Sequence, residues 1–229
     1  MPRARNVRLL LSLILALLLP ALSAAAEDKK PSAAFDLLSV EGLWVGKTIS
    51  IDAAFGKEHG IAVPAPFSFV VPLSPTKEYE VFADPAPKPG EAWMKINFAT
   101  HERQLIENIQ FVNMTVPMGD TKARLNAAAR ALVNEGLPDL IRGKANAGRD
   151  VVRAIKIADY DAVEVIAHFD DPDVGAMLGR MVGILNPKGA DGVVAIANIA
   201  LARVPVKTAD DFARTRGGTL LAHFKYLEF

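Results

Sequence analysis

The sequence predicts an α+β fold in which antiparallel β-sheet is covered by helices, and three observations carry that prediction. Short β-branched or aromatic runs bounded by Pro, Gly and Asp recur along most of the chain. One segment before Pro138 carries apolar residues at helical spacing, and two late pairs of apolar runs are joined by turn formers. Of the 229 residues, 51% are hydrophobic and 23% charged, with 26 bases against 26 acids, which excludes a disordered chain and a strongly basic nucleic-acid binder. Cysteine is absent, so disulfides, thiolate metal sites and a cysteine nucleophile are excluded.

The first 26 residues read as an address. Arg3, Arg5 and Arg8 precede an almost unbroken apolar run from Leu9 to Leu19, closed by Pro20 and the small residues Ser23 to Ala26. That is the pattern of a secretory signal peptide over 1–26, with Ala24 and Ala26 at the cleavage positions before Glu27. The run reaches about 14 residues with Leu22 included, short of the roughly 20 that a spanning helix needs. With its three bases removed, the mature chain holds 23 bases and 26 acids, net −3, which disfavours a polyanionic partner. The short leader, the missing cysteine and the absence of a stop-transfer run predict a bacterial periplasmic protein, not integral to the membrane after cleavage. Residues 27–34 read as a flexible leader and 35–229 as a single α+β domain.

Strands are expected at Leu43 to Ile51, Phe67 to Leu73, Tyr79 to Phe82, Trp93 to Phe98 and Gln110 to Val116. The Pro-rich stretch Ala83 to Gly90 reads as an extended loop. A helix follows, capped by Asp120 or Thr121, with Leu125, Ala128, Ala129, Leu132, Val133 and Gly136 as its apolar stripe. Lys122, Arg124 and Arg130 are expected to face solvent, and Pro138 to limit the helix. Next, Val151 to Ile157 and Val163 to Phe169 form a hairpin around Ala158 to Ala162. A three-residue turn there puts Ile155 and Ile157 on one face with Val163 and Val165, and Lys156 opposite Glu164. Met177 to Leu185 and Val193 to Leu201 form a second hairpin, apolar enough to lie centrally in the sheet. Thr208 to Asp211 reads as a capping-box start for a last helix using Phe212, Thr215, Thr219, Leu220 and Phe224, with Gly217-Gly218 as its weak middle.

That order of elements, with the run FSFVVPL, the segment VAIANIALARVPVKT and the closing pattern from Pro205 through Phe212 to Leu227, resembles the PsbP and DcrB type of α/β/α sandwich over about Phe67 to Phe229. The resemblance implies an accessory or binding module rather than an enzyme. No functional residue transfers with it, because none is defined by a motif.

The chain's own chemistry is sparse. His59, His101, His168 and His223 lack metal-ligand spacing, and neither a nucleophile elbow nor a phosphate-binding glycine loop is present. The glycines of Arg216-Gly217-Gly218-Thr219 read as a weak point in a helix. No catalytic residue, cofactor or metal site is assigned. Asp170, Asp171 and Asp173 offer three carboxylates to a hard cation, but adjacent Asp residues before Pro172 are also ordinary turn chemistry.

One pattern points to a partner. Arg142, Lys144, Arg149, Arg153 and Lys156 fall within fifteen residues with Asp150 as their single acid, and Asp159, Asp161, Glu164, Asp170, Asp171 and Asp173 follow without a base. The structural reading is a pair of strands joined by cross-strand ion pairs. The functional reading is a loop, marked by Gly143 and Gly148, whose Arg142, Lys144, Arg149 and Arg153 dock an acidic periplasmic protein or an anionic surface. The function expected is that of an exported accessory or binding protein acting through a surface of its sandwich. The alternative is a secreted hydrolase or small-ligand binder with a site of dispersed His and Asp residues, for which His101 or His168 beside a carboxylate in a deep pocket is the mark.

Overall fold

Alternating apolar positions divide the strands into two antiparallel sheets. The computed structural model describes residues 35–38, 44–74, 77–86 and 92–228, so the signal peptide and leader expected over 1–34 lie outside the described residues. The smaller sheet contains β1 (Phe35–Leu38), β2 (Trp44–Ile51), β3 (Phe67–Leu73) and β11 (Lys225–Tyr226), in the order β1-β2-β3-β11. The larger contains β4 (Glu80–Pro85), β5 (Met94–Ala99), β6 (Leu105–Thr115), β7 (Ala145–Ile157), β8 (Tyr160–Asp171), β9 (Gly175–Ile184) and β10 (Asp191–Ala200). Its order, β4-β5-β6-β10-β9-β8-β7, places β10 at the centre and β7 at one edge. Every pairing is antiparallel. The second hairpin is therefore central, as its apolar arms predict. Among the described residues no helix is long and apolar enough to cross a membrane.

One face of the large sheet meets the small one. Phe67, Phe69 and Val71 of β3 pack against Trp93, Phe98 and Phe111, with the Phe69 and Phe111 ring centroids 4.6 Å apart. Each ring buried there contributes about 1.5–3 kcal/mol. Three elements here escape the sequence reading, strand β1 among them. Helix α1 (Ala53–His59) is started by the Asp52 carboxylate, which accepts from Ala54 and Phe55 N–H. Strand β11 is pinned by Tyr226, whose hydroxyl donates to Ile184 O at 2.6 Å and accepts from Val193 N.

The other face carries the helices. Asp120 caps α2 (Thr121–Ala131), a wide π turn follows over Leu132–Gly136, and α3 (Leu137–Ile141) completes the layer. Pro138 does not end the helix. It sits in the first turn of α3, where a missing N–H costs little, and the π turn before it absorbs the change of register. Ala128, Leu132, Leu137 and Leu140 pack on Val163, Val165 and Met181. A side chain at Gly179 would put its Cβ 2.6 Å from Leu140 Cδ2, so the close approach of helix to sheet requires glycine there. Arg124, expected in solvent, is buried, and its guanidinium donates to Asn186 O and Gly189 O in the β9–β10 loop.

Four further readings are corrected. Ala83–Pro85 belong to β4 rather than to a loop. Gly148 lies within β7 and only Gly143, with φ +69°, makes a turn. The first hairpin turns through Ala158-Asp159 alone, with Ala158 at φ +47°, and pairs Lys156 with Asp161 and Arg153 with Glu164. Ile155 and Ile157 thereby join the face toward the small sheet, while Val163 and Val165 face the helices. Tyr160 draws its segment into the strand, because its ring packs edge-on to Phe224 and Tyr226 and its hydroxyl accepts from Tyr226 N.

The last helix is split. The capping box of Thr208 and Asp211 forms as expected but opens a 3-10 turn, Ala209–Arg214, and Thr215 then caps the separate α4 (Arg216–Ala222). Gly217 and Gly218 open α4 rather than weakening its middle. Their N–H groups donate to Glu107 and Thr215, and a Cβ on either would collide with Glu107 Oε1 or Phe212 O.

Candidate functional site

The bases singled out by the sequence gather at the β7 edge of the large sheet, and each is positioned by a different local device. Arg142 follows α3, with its side chain 69% exposed and its guanidinium paired to Asp139 one turn back. Gly143 turns the chain, and Lys144, just before β7, holds its Nζ 2.7 Å from Asp171 Oδ2 and 5.9 Å from the centre of the Phe169 ring. Arg149 is exposed and has no ion pair among the described residues. Arg153 donates from Nε to Glu164 Oε2 at 2.6 Å, and its Nη1 lies 3.5 Å from the exposed Asp210. Lys156 pairs with Asp161 at 2.8 Å.

The run of bases followed by acids is thus mostly a set of ion pairs. The β7–β8 hairpin sets Arg153 and Lys156 against Glu164 and Asp161, and Lys144 reaches across to Asp171. Glu164 is fully buried and its second oxygen accepts from Arg180 Nε at 2.7 Å, while the Arg180 guanidinium lies 5.0 Å from the centre of the Phe212 ring. Two guanidiniums on one buried carboxylate form a structural joint, since removing either kind of partner strands a buried charge. Arg180 was missed by sequence reasoning, although a base inside the apolar run MLGRMVGI is the signal that it needs an inward acid. Of the four candidate residues, Arg142 and Arg149 turn to solvent, and Lys144 and Arg153 are held inward.

The acidic cluster does turn chemistry. Asp171 Oδ1 accepts from the N–H groups of Asp173 and Val174 and closes the turn into β9. Burial opposes its ionisation, but the Lys144 ammonium and the two N–H groups outweigh burial and hold the carboxyl below its usual range. Asp170 is bound by Asn146. Among the described residues no group of three or more His, Asp or Glu is placed to hold a metal ion.

Two histidines stand beside carboxylates. His168 Nδ1 lies 2.6 Å from Asp150 and His101 Nδ1 lies 3.2 Å from Glu80. Both rings are about half exposed, His168 on β8 at 49% and His101 in the β5–β6 turn at 55%, so neither pair lies in the deep pocket that a hydrolase site calls for. The Glu80 carboxylate raises the His101 pKa above its usual value through their hydrogen bond. A crevice of about 20 Å³, the room of one water molecule, is lined by Lys95, Asn108, Phe169, Asp171, Met177 and Asn198. Asn198 donates to Asn108 at its floor, and Asn198 Oδ1 has no partner among the described residues.

No family model matches the sequence, and no curated protein matches it. Among solved structures, the chain is similar to the cyanobacterial PsbP of Synechocystis, with 13% identity over 82% of this chain and 98% of that one and a TM-score of 0.48. It is similar also to the Ran-binding protein Mog1p of Saccharomyces cerevisiae, with 11% identity over 78% and 94% of the two chains and a TM-score of 0.41. A third is a Pseudomonas aeruginosa protein of unknown function, with 13% identity over 59% and 80% and a TM-score of 0.29. PsbP is one of the two families whose element order the sequence resembles.

Proposed function

We propose that this chain is an exported, periplasmic accessory or binding protein that works through the surface at the β7 edge, without chemistry of its own. The observation that carries the reading is the pair of outward bases, Arg142 and Arg149, at the free end of the large sheet in a chain whose mature net charge is −3. Bases placed there attract an acidic protein surface and speed encounter with it. Export is supported by the basic n-region, the short apolar run and the Ala24-x-Ala26 cleavage pattern.

The test joins location to contact. Fractionation and N-terminal sequencing should find a periplasmic chain beginning at Glu27; a chain beginning at Met1 in the membrane fraction contradicts export. The double variant Arg142→Gln/Arg149→Glu should keep the wild-type melting curve and lose the proteins that wild type captures from periplasmic extract. Lys144 and Arg153 stay unchanged, since reversing either sets an acid against a buried carboxylate. Equal capture by wild type and variant contradicts the surface.

A further inference from the structure

We propose that the open edge of β7 between Val151 and Ile157 takes up an acidic, extended segment of a partner protein as an added strand of the large sheet. This rests on the reading that the β7 end is the contact surface, and adds to it the mode of contact and the chemistry of the partner. Among the described residues β7 pairs with β8 alone, and in an antiparallel ladder alternate residues of an edge strand turn N–H and C=O toward solvent. Backbone groups of that kind are what an added strand binds.

The edge is guarded unevenly. Register breaks between Ala145 and Gly148 and between Arg149 and Val151 disrupt the first half of β7, whereas from Val151 to Ile157 the register runs unbroken. That stretch has the length of an ordinary strand and contains no proline. The opposite edge of the sheet, β4, ends in Asp84-Pro85, and proline offers no donor to a neighbour.

Charge selects the occupant. Arg153 is held inward between Glu164 and Asp210, but the exposed Arg149 just before this stretch and Lys156 near its end, whose side chain is 63% exposed, set a base at either end of the ladder that an arriving strand would join. Opposite charges across a ladder stabilise it and like charges destabilise it, so acidic residues are accepted and basic ones rejected. A second copy of this chain is disfavoured on the same ground, because its own β7 brings the exposed Arg149 and Lys156 against one acid of that strand, Asp150. Val152, 40% exposed, and Ala154 lie between these bases on the helix-side face and give the added strand an apolar neighbour.

The test is fluorescence anisotropy of labelled peptides with the full chain. A peptide alternating glutamate and threonine should bind, and one alternating lysine and threonine should not. Methylating alternate backbone nitrogens of the acidic peptide keeps its charge and removes donors, and should weaken binding by about tenfold or more. The Ala154→Pro variant, which removes an edge N–H from the protein, should bind the unmethylated peptide no better. If the methylated peptide binds as tightly as its parent, strand addition is refuted while the charged surface survives. If neither peptide binds, the proposal fails whatever the chain captures from extract. If the chain alone sediments as a dimer that Ala154→Pro dissociates, the occupant is a second copy and the acidic partner is refuted.

Discussion

Glu107 gives the structure its most exacting energetic test. Its carboxylate is fully buried at the start of α4, where Oε1 accepts from Gly217 N at 2.8 Å and Oε2 from Arg216 N at 3.0 Å. The Arg216 guanidinium lies 4.3 Å from the centre of the Tyr79 ring beside it. Burial dominates and pushes the Glu107 carboxyl up to about 7, against the downward pull of the Gly217 N–H and the Arg216 charge. The folded protein therefore keeps a proton that the unfolded chain gives up near pH 4.5. Stability from this group is complete below pH 4.5, falls as pH rises toward 7 and is flat above that. The total fall is about 3 kcal/mol, from 1.36 kcal/mol for each unit between the two values. Glu107→Gln removes the slope. Its amide still accepts from one N–H but leaves the other facing a donor, at a cost of about 1–3 kcal/mol independent of pH. Urea melts of both proteins at pH 5, 6, 7 and 8 should show the variant less stable at pH 5 and the gap closing or reversing by pH 8. A gap of constant size across that range refutes the buried, titrating carboxylate.

Gly217→Ala puts a Cβ 2.4 Å from Glu107 Oε1 and should cost about 1–3 kcal/mol, read as a lowered melting temperature. Tyr226→Phe removes the hydroxyl shared by Ile184 O and Val193 N and should cost about 1–3 kcal/mol in urea unfolding with an unchanged m-value. Glu164→Gln strands two guanidiniums at the β7–β9 joint and should cost about 3–5 kcal/mol; Glu164→Gln/Arg180→Met, measured in the same melts, should recover part of it. Asp120→Ala removes the carboxylate that accepts from Ala123 N and should lose about 1 kcal/mol, seen as reduced helical signal on heating.

What could be read from the chain divides along the range of the interactions involved. Phe67–Leu73 was legible residue for residue because strand alternation is local, and the central β9–β10 hairpin because both arms are predominantly apolar. The register of the β7–β8 hairpin was not. It is set by Tyr160 packing on Phe224 and Tyr226 and by Glu164 meeting Arg180, partners that no window around the turn contains. Pro138 reads as a stop in any linear scan, and only the π turn before it makes it harmless. The charged edge was visible as a composition of bases, but which of them face solvent depends on where the acids fall. Lys144 reaches Asp171, 27 residues on, and so leaves Arg142 and Arg149 as the outward pair.

The proposed contact is tested most directly by photo-crosslinking in cells from single positions of the full chain. A photoreactive phenylalanine analogue placed at Arg149 or Val152, on the β7 edge, should give a discrete adduct with a partner protein. The same analogue at Phe82, exposed on β4 at the opposite edge of the sheet, should give none. Adducts from Phe82 with none from Arg149 or Val152 contradict the account and move the working surface to the other end of the sheet.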